Sequence, residues 1–231
     1  MKTERTHRFD VGYDEAVAIQ EELRREVVRT GSLRNVRLVS GADVSYAKRA
    51  VTMYAAVVVV EWPSGEVVEE VTAERAAEFP YIPGLLSFRE MPALLEAFGK
   101  LRSRPDVIIY DGHGVAHPRG FGIASHLGVL LDVPTIGCAK SRLVGEHAEP
   151  GPDKGAQTPL TLDGKAIGAV VRTRANVKPV FVSVGHRIGL RSAVRLVLDC
   201  ATRYRLPEPT RLAHVLSNTA RRGDRFARRP E

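Results

Sequence analysis

The chain has 231 residues, of which 44% are hydrophobic, and its formal net charge at pH 7 is +7. This length and apolar content are sufficient for one sizeable core, and we expect a single domain over residues 1–231. Every apolar run is far shorter than the roughly 20 residues of a membrane span, so we expect no membrane partner. The excess of basic residues indicates a polyanionic partner, most simply a nucleic acid, although an Arg-rich composition also raises the charge of unrelated proteins.

The first half of the chain predicts one helix and an antiparallel β-meander. Apolar residues at helical spacing predict a helix over residues 14–28. Three β-rich segments follow, and a Pro-Ser-Gly turn separates the second from the third. We expect them to pair as a three-stranded antiparallel meander over residues 36–46, 52–62 and 67–73.

The second half predicts parallel strands connected by helices. The order strand, helix, strand, helix, strand implies parallel pairing through helical crossovers. The expected elements are a helix over residues 85–101, a strand over 106–110, a helix over 122–131 and a strand over 133–136. After these we expect an exposed loop at 146–158, a hairpin of strands 165–172 and 179–184, helices at 190–204 and 209–218, and a flexible Arg-rich tail after about residue 220.

The order of the predicted strands and helices is itself similar to that of a known fold. A meander followed by crossovers, with one acid on the first strand and another closing the fourth, resembles a ribonuclease-H-like nuclease. The fold class that we expect is therefore α/β, with a ribonuclease-H-like mixed sheet (an antiparallel meander plus parallel strands) flanked by helices.

The cysteines and the first residues bear on the cellular compartment. Cys138 and Cys200 lie in apolar sequence and are too few for a Cys-rich zinc site, so we expect buried free thiols in a reducing cytosol. Residues 1–10 are charged and lack the apolar segment of a signal peptide. We expect a cytoplasmic protein.

Three acids are candidates for a metal site. Asp43 lies within an apolar strand, where a carboxylate is costly unless it is paired or bound to metal. Asp111 closes the strand at 106–110, and ligands gather at the carboxyl ends of such strands. Glu90 lies on the helix between them. Each acid alone is equally well explained as structural, but as a set on this topology they favour Mg²⁺ or Mn²⁺, which prefer hard oxygen ligands.

The segment 80–90 is the most unusual part of the sequence. Two prolines, Pro80 and Pro83, restrict the backbone on either side of Tyr81 and Ile82, and Gly84 permits a sharp turn. This pattern predicts a stiff projection with an aromatic tip, close to the carboxylate of Glu90. Such a wedge suits an enzyme that extrudes a nucleobase from its stack and cuts the backbone nearby.

A glycine-rich loop and two cationic side chains complete the candidates. The loop at 111–122 permits close approach to a ligand and opens a helix, although its histidines, His113 and His117, are favoured as hydrogen-bonding scaffold over metal ligands. Lys140 follows a buried strand and suits a phosphate or an attacking water, and a solvated lysine is an equal alternative. His214 is flanked by apolar residues, and such a histidine is more often structural than catalytic.

Together these motifs resemble the endonuclease V family, the deoxyinosine-specific nucleases. The resemblance implies a ribonuclease-H-like fold, a need for Mg²⁺ or Mn²⁺, and cleavage of the second phosphodiester bond 3′ to inosine, which leaves a 3′-hydroxyl and a 5′-phosphate. The matching segments are residues 41–46, 80–90, 111–114, 117–125, 137–145, 183–187 and 211–218.

The resemblance also implies roles for individual residues. Asp43 and Asp111 would hold the metal, Glu90 would join them directly or through water, and Lys140 and His214 would complete the catalytic set. The wedge would be Pro80, Tyr81, Ile82 and Pro83, with Tyr81 filling the gap that the flipped base leaves. The hypoxanthine pocket and its DNA contacts would involve Gly84, Leu85, Gly112, His113, Gly122 and Ile123.

Several functions share this pattern. The expected partner is DNA that contains deoxyinosine, bound by a monomer, and inosine-containing RNA is an alternative substrate. A catalytically silent nucleic-acid-binding protein of the same fold is disfavoured because all three acids are present. A junction or flap nuclease is disfavoured by the aromatic wedge.

Overall fold

The structure of the protein, a computed structural model, describes Met1, residues 3–47 and residues 50–223. The strands are β1 Leu38–Ser45, β2 Thr52–Glu61, β3 Val67–Ala76, β4 Val107–Tyr110, β5 Thr135–Ala139, β6 Gln157–Leu162, β7 Lys165–Val171 and β8 Val180–His186. The helices are α1 Tyr13–Leu23, α2 Leu86–Lys100, α3 Ile123–Leu131, α4 Leu190–Cys200 and α5 Glu208–Arg222. All eight strands form one mixed sheet in the order β3-β2-β1-β4-β5-β8-β7-β6.

The pairing confirms the expected mixed sheet. β1, β2 and β3 form an antiparallel meander. β4 pairs in parallel with β1 and with β5, as the helical crossovers require. β7 and β8 form the expected antiparallel hairpin. Among the described residues, no helix is both long and apolar enough to cross a bilayer.

Several element boundaries differ from those expected, and β3 and β5 extend to Ala76 and Ala139. α1 ends at Leu23 and continues only as a 3₁₀ turn, and α4 ends at Cys200. α5 begins at Glu208 and continues to Arg222, and the rest of the expected tail, from residue 224, lies outside the described residues. β6 is not predicted from the sequence, and only its first two residues fall in the expected loop at 146–158. It is an edge strand, where Pro159 is tolerated because the edge leaves one row of backbone N–H groups unpaired.

The sheet is covered by helices on both faces. Side chains of β2 alternate between two buried clusters, with Ala56, Val58 and Val60 on one face and Ala55, Val57 and Val59 on the other. α4 and α5 cover the first face, while α2 and α3 cover the second. Burial on both faces explains the continuous apolar run of β2. Cys138 and Cys200 are buried free thiols, as expected.

A glycine in β1 permits α5 to lie directly on the sheet. A Cβ atom at Gly41 would lie 2.1 Å from the backbone carbonyl of Pro209 at the start of α5. Contacts that short do not occur between real atoms, so any larger residue would push α5 outward. Thr210 adds a hydrogen bond from its hydroxyl to the Ile109 carbonyl at 3.3 Å.

We predict that Gly41→Ala destabilises the protein by about 1–3 kcal/mol, the usual cost of overpacking. The matched control is Gly99→Ala on the exposed side of α2, where a new Cβ meets nothing within 4 Å. That control is expected to be neutral or to stabilise by up to about 1 kcal/mol through helix propensity. Chemical denaturation of both variants measures the difference, and an unchanged unfolding free energy for Gly41→Ala would contradict the packing argument.

Candidate active site

The two aspartates meet at the ends of adjacent parallel strands. Ala42 of β1 is in register with Tyr110 of β4, so Asp43 and Asp111 follow at equivalent positions. The Asp111 N–H donates to the Ala42 carbonyl at 3.3 Å, which continues the strand pairing by one residue. The side chains of both acids are about nine-tenths buried. The geometry expected from the parallel order is therefore present.

α5 brings a histidine to the same position. Nδ1 of His214 lies 3.1 Å from Oδ2 of Asp43, and the Ser217 hydroxyl donates to the same oxygen at 2.6 Å. The hydrogen bond to Asp43 is the main cause that raises the pKa of His214, and burial opposes it. Asp43, Asp111 and His214 each present a ligand atom within 4.8 Å of the others.

Lys140 lies directly after β5 and pairs with the second aspartate. Its Nζ is 2.5 Å from Oδ2 of Asp111, while 39% of its side chain remains exposed. Burial raises the pKa of Asp111, and the hydrogen bond and charge of Lys140 oppose that rise. The ammonium group therefore lies at the acidic cluster and is still open to a phosphate from solvent.

Glu90 approaches from the other face of the sheet. It is buried on α2 and accepts a hydrogen bond from the Tyr110 hydroxyl at 2.7 Å. Burial first, and then the charges of Asp43 and Asp111, raise the pKa of Glu90 to about 8, although the Tyr110 hydrogen bond opposes this. At neutral pH its carboxyl group is thus protonated when no cation is bound. The compact group of three differs from the expected one, since His214 is the third member and Glu90 lies outside it.

The donor set fits a hard divalent cation. Two carboxylates and one imidazole converge, and Glu90 holds a proton that a cation would displace. Oxygen donors of this kind suit Mg²⁺ and Mn²⁺, and an imidazole is also acceptable to Mn²⁺. Asp43, Asp111 and His214 are the residues that would hold such an ion directly.

A cavity of about 280 Å³ adjoins the acids. One wall is the projection at residues 81–84, and the other is the loop from Tyr110 to Ile123. The expected pocket residues that line it are Gly84, Gly112, His113, Gly122 and Ile123, and from the wedge Tyr81, Ile82 and Pro83. Asp43, Glu90 and Asp111 also line it, so the cavity and the acids form one continuous space.

Two residues expected to contact nucleic acid do not line the cavity. The Leu85 side chain is fully buried against Phe79 and Phe88, so only its backbone is available to a ligand. Pro80, expected in the wedge and not in the pocket, is exposed on the projection. His113 is held as scaffold, because its Nε2 lies 3.0 Å from the Ser141 carbonyl and donates to it.

The projection is built on a tight turn. The Leu85 N–H donates to the Ile82 carbonyl at 2.9 Å across Pro83 and Gly84, and Gly84 has φ +80°. Proline followed by a glycine at positive φ is the pattern of a type II turn. Tyr81, on this projection, is 62% exposed, so its ring is available for contact with a ligand.

Sequence reasoning did not identify two residues of the site. Ser217 lies three residues after His214, so the helical period alone places both on one face of α5. Tyr110 precedes Asp111 in β4 and points to the opposite face, where Glu90 lies. Strand alternation could have indicated that position, but the pairing with α2 depends on the tertiary fold.

Comparison with known proteins agrees with this architecture. The family model described as Endonuclease V matches residues 21–215. Endonuclease V of Roseiflexus sp. (strain RS-1) is 53% identical over 208 residues, which cover 90% of this chain and 92% of that protein. The crystal structure of endonuclease V from Streptomyces avermitilis is 43% identical, with a TM-score of 0.88, and the match covers 92% of this chain and 94% of that one.

A third match is a complex with nucleic acid. Endonuclease V from Ciona intestinalis, crystallised with a 24mer DNA that contains an inosine followed by a ribo-adenosine, is 31% identical with a TM-score of 0.80. The match covers 91% of this chain and 98% of that one. The fold and its structural neighbours therefore define a nuclease with a ribonuclease-H-like sheet. The chain belongs to the endonuclease V family.

We predict that Mg²⁺ raises the midpoint of thermal unfolding by more at about pH 9 than at about pH 6. Below its pKa of about 8, Glu90 keeps a proton that opposes binding of a cation, and above it the carboxylate attracts one. Glu90→Gln should reduce this pH difference and leave the part that His214 contributes. The control is Glu96→Gln, a partly exposed acid on the same helix. An equal Mg²⁺ effect at both pH values in the unmodified protein would contradict the assignment.

Proposed function

We propose that the protein is a DNA repair endonuclease that recognises deoxyinosine and hydrolyses the second phosphodiester bond 3′ to it, leaving a 3′-hydroxyl and a 5′-phosphate. The observation that carries this proposal is the continuous space between the cavity and the acidic cluster, in a chain of the endonuclease V family. The inosine-containing DNA bound by the Ciona intestinalis relative supports the same substrate.

The acids would serve a metal-dependent reaction. Asp43, Asp111 and His214 would hold Mg²⁺, or Mn²⁺ in its place, with Glu90 in contact once its proton is lost. When bound, such an ion lowers the pKa of water and neutralises charge on a phosphate. Ser217 holds the carboxylate of Asp43 in one orientation. The exposed face of Lys140 would offer positive charge to a phosphate oxygen that develops negative charge.

The projection would act on the base. An extruded nucleobase leaves a gap in the stack, and an exposed aromatic ring can fill it. Tyr81 has that exposure, and the turn at Pro83 and Gly84 keeps its backbone stiff. The extruded base would enter the cavity behind the turn, between Gly84 and Gly122. We further propose that the protein acts as a monomer in the cytoplasm, the expectation from its sequence.

A second candidate is cleavage of inosine-containing RNA. It is favoured by one observation, that the DNA in the Ciona intestinalis complex carries a ribo-adenosine directly after the inosine. The test is to incubate the protein with matched DNA, RNA and hybrid strands that bear one inosine, with and without Mg²⁺, and to map the cut. Cutting of the RNA strand alone would replace the first proposal by the second.

We predict that Asp43→Ala or Asp111→Ala lowers the cleavage rate roughly a thousandfold or more, since a ligand that stabilises the transition state is removed. Binding to inosine-containing DNA should persist, because it depends on contacts to base and phosphate. Asp153→Ala changes an exposed acid that does not line the cavity and serves as the control. Near-normal turnover in either active-site variant would refute the role of the acids.

We predict that Tyr81→Ala weakens capture of inosine in duplex DNA by about tenfold or more, the scale of one lost base–aromatic stack. The loss should be smaller on single-stranded DNA, where no partner strand must be held open. Residual cutting should keep its position, because the acids are unchanged. Tyr13→Ala removes a tyrosine of α1 that is 54% exposed, close to the 62% of Tyr81, and is the matched control. Equal losses on both substrates would show that Tyr81 is a general stacking contact.

A further inference from the structure

A buried amide on α1 connects the two walls of the cavity. Gln20 is 1% exposed, and its Nε2 donates to the Gly84 carbonyl at 3.1 Å and to the Phe121 carbonyl at 3.2 Å. Gly84 belongs to the turn of the projection, while Phe121 directly precedes Gly122 on the opposite wall. One side chain therefore spans the space behind the cavity and holds both walls.

Arg119 completes this connection. Its Nε donates to Oε1 of Gln20 at 2.6 Å, and its terminal nitrogen donates to the Gly84 carbonyl, also at 2.6 Å. The Gly84 carbonyl thus accepts a hydrogen bond from each of these two side chains. A Cβ atom at Gly84 would lie 2.9 Å from the Arg119 side chain, so the arginine packs immediately behind the turn.

The two walls differ in how they are anchored. Gly122 donates its N–H to the Gly114 carbonyl at 2.9 Å and begins α3, so that wall is part of the folded core. The projection is more exposed, at Pro80, Tyr81 and Pro83. Gln20 and Arg119 therefore hold the projection at a constant distance from the wall that contains Phe121 and Gly122. Neither residue contacts Asp43, Asp111 or His214 through a hydrogen bond.

We propose that Gln20 is a positioning residue that sets the width of the base-binding cavity, and that Arg119 acts with it. The inference rests on the proposed function, in which the cavity receives an extruded purine. A cavity of constant width favours a flat base that contacts the backbone of both walls. Loss of the bridge widens the cavity and weakens capture of the base, while the acidic cluster that performs the cleavage keeps its geometry.

The test is a single-turnover comparison of Gln20→Met with the unmodified protein on inosine-containing duplex DNA. Gln20→Met keeps the length and volume of the side chain and removes all three hydrogen bonds. We expect the half-saturating protein concentration to rise about tenfold or more, the effect of one or two lost buried hydrogen bonds. The rate at saturation is expected to change by less than about twofold, since the metal ligands are untouched. Gln157→Met, at an exposed glutamine of β6, is the matched control.

A purely structural role has a different signature. A variant that is only partly folded has fewer active molecules, so its half-saturation point in total protein rises by the inverse of the folded fraction. A tenfold rise from this cause requires most of the protein to be unfolded, which circular dichroism of the same sample detects, so half-saturation is compared per folded molecule. Arg119→Lys, at a half-buried position, provides a second variant if Gln20→Met does not fold. This variant keeps the positive charge but cannot contact Gln20 and the Gly84 carbonyl together. It should therefore also raise the half-saturating protein concentration. An unchanged half-saturation point in either folded variant overturns the inference, whereas failure of the unmodified protein to cut inosine-containing DNA overturns the proposed function instead.

Discussion

The close contact between Gly41 of β1 and Pro209 of α5 is the constraint on which the site depends. Because no side chain separates the helix from the strand, α5 lies directly on the sheet beside Asp43. His214 and Ser217 then reach one carboxylate oxygen at 3.1 and 2.6 Å. A side chain at Gly41 would push the start of α5 away from β1, and the same helix carries both hydrogen-bonding side chains. The glycine thus determines packing and chemistry together.

The charges of the site are balanced by three different means. Glu90 keeps its proton because it is buried near two other acids, Asp111 has the ammonium group of Lys140, and Asp43 has the imidazole of His214. Buried carboxylates without such partners would cost several kcal/mol each, on the order of the desolvation penalty of an ion. A single divalent cation would neutralise the same carboxylates. The protein therefore folds around an acidic cluster in which Asp43, Asp111 and His214 are the candidate ligands of a metal.

The sequence predicted the acids better than it predicted their neighbours. Asp43 and Asp111 follow from strand ends in a parallel pair, which is a rule of topology, and the stiff turn at Pro83 and Gly84 follows from local backbone restriction. The motif predicts the stretch of chain near Leu85 at the pocket, but it does not indicate that the Leu85 side chain packs into the core with Phe79 and Phe88. Gln20 carried no local signal, since its partners lie 64 and 101 residues away. Residues that act through tertiary hydrogen bonds cannot be identified from periodicity.

Helix α2 connects the two parts of the site in a rigid way. Its first residue, Leu86, follows the turn that carries Tyr81, and Glu90 lies four residues later, about 6 Å along the helix axis. The other wall is equally continuous, since Tyr110 and Asp111 run directly from β4 into the glycine-rich loop. The separation between the cavity and the acids is therefore fixed by a helix and a strand, not by flexible loops. On the proposed function, this rigidity explains why cleavage would fall at one bond at a constant distance from the extruded base, whatever the surrounding sequence.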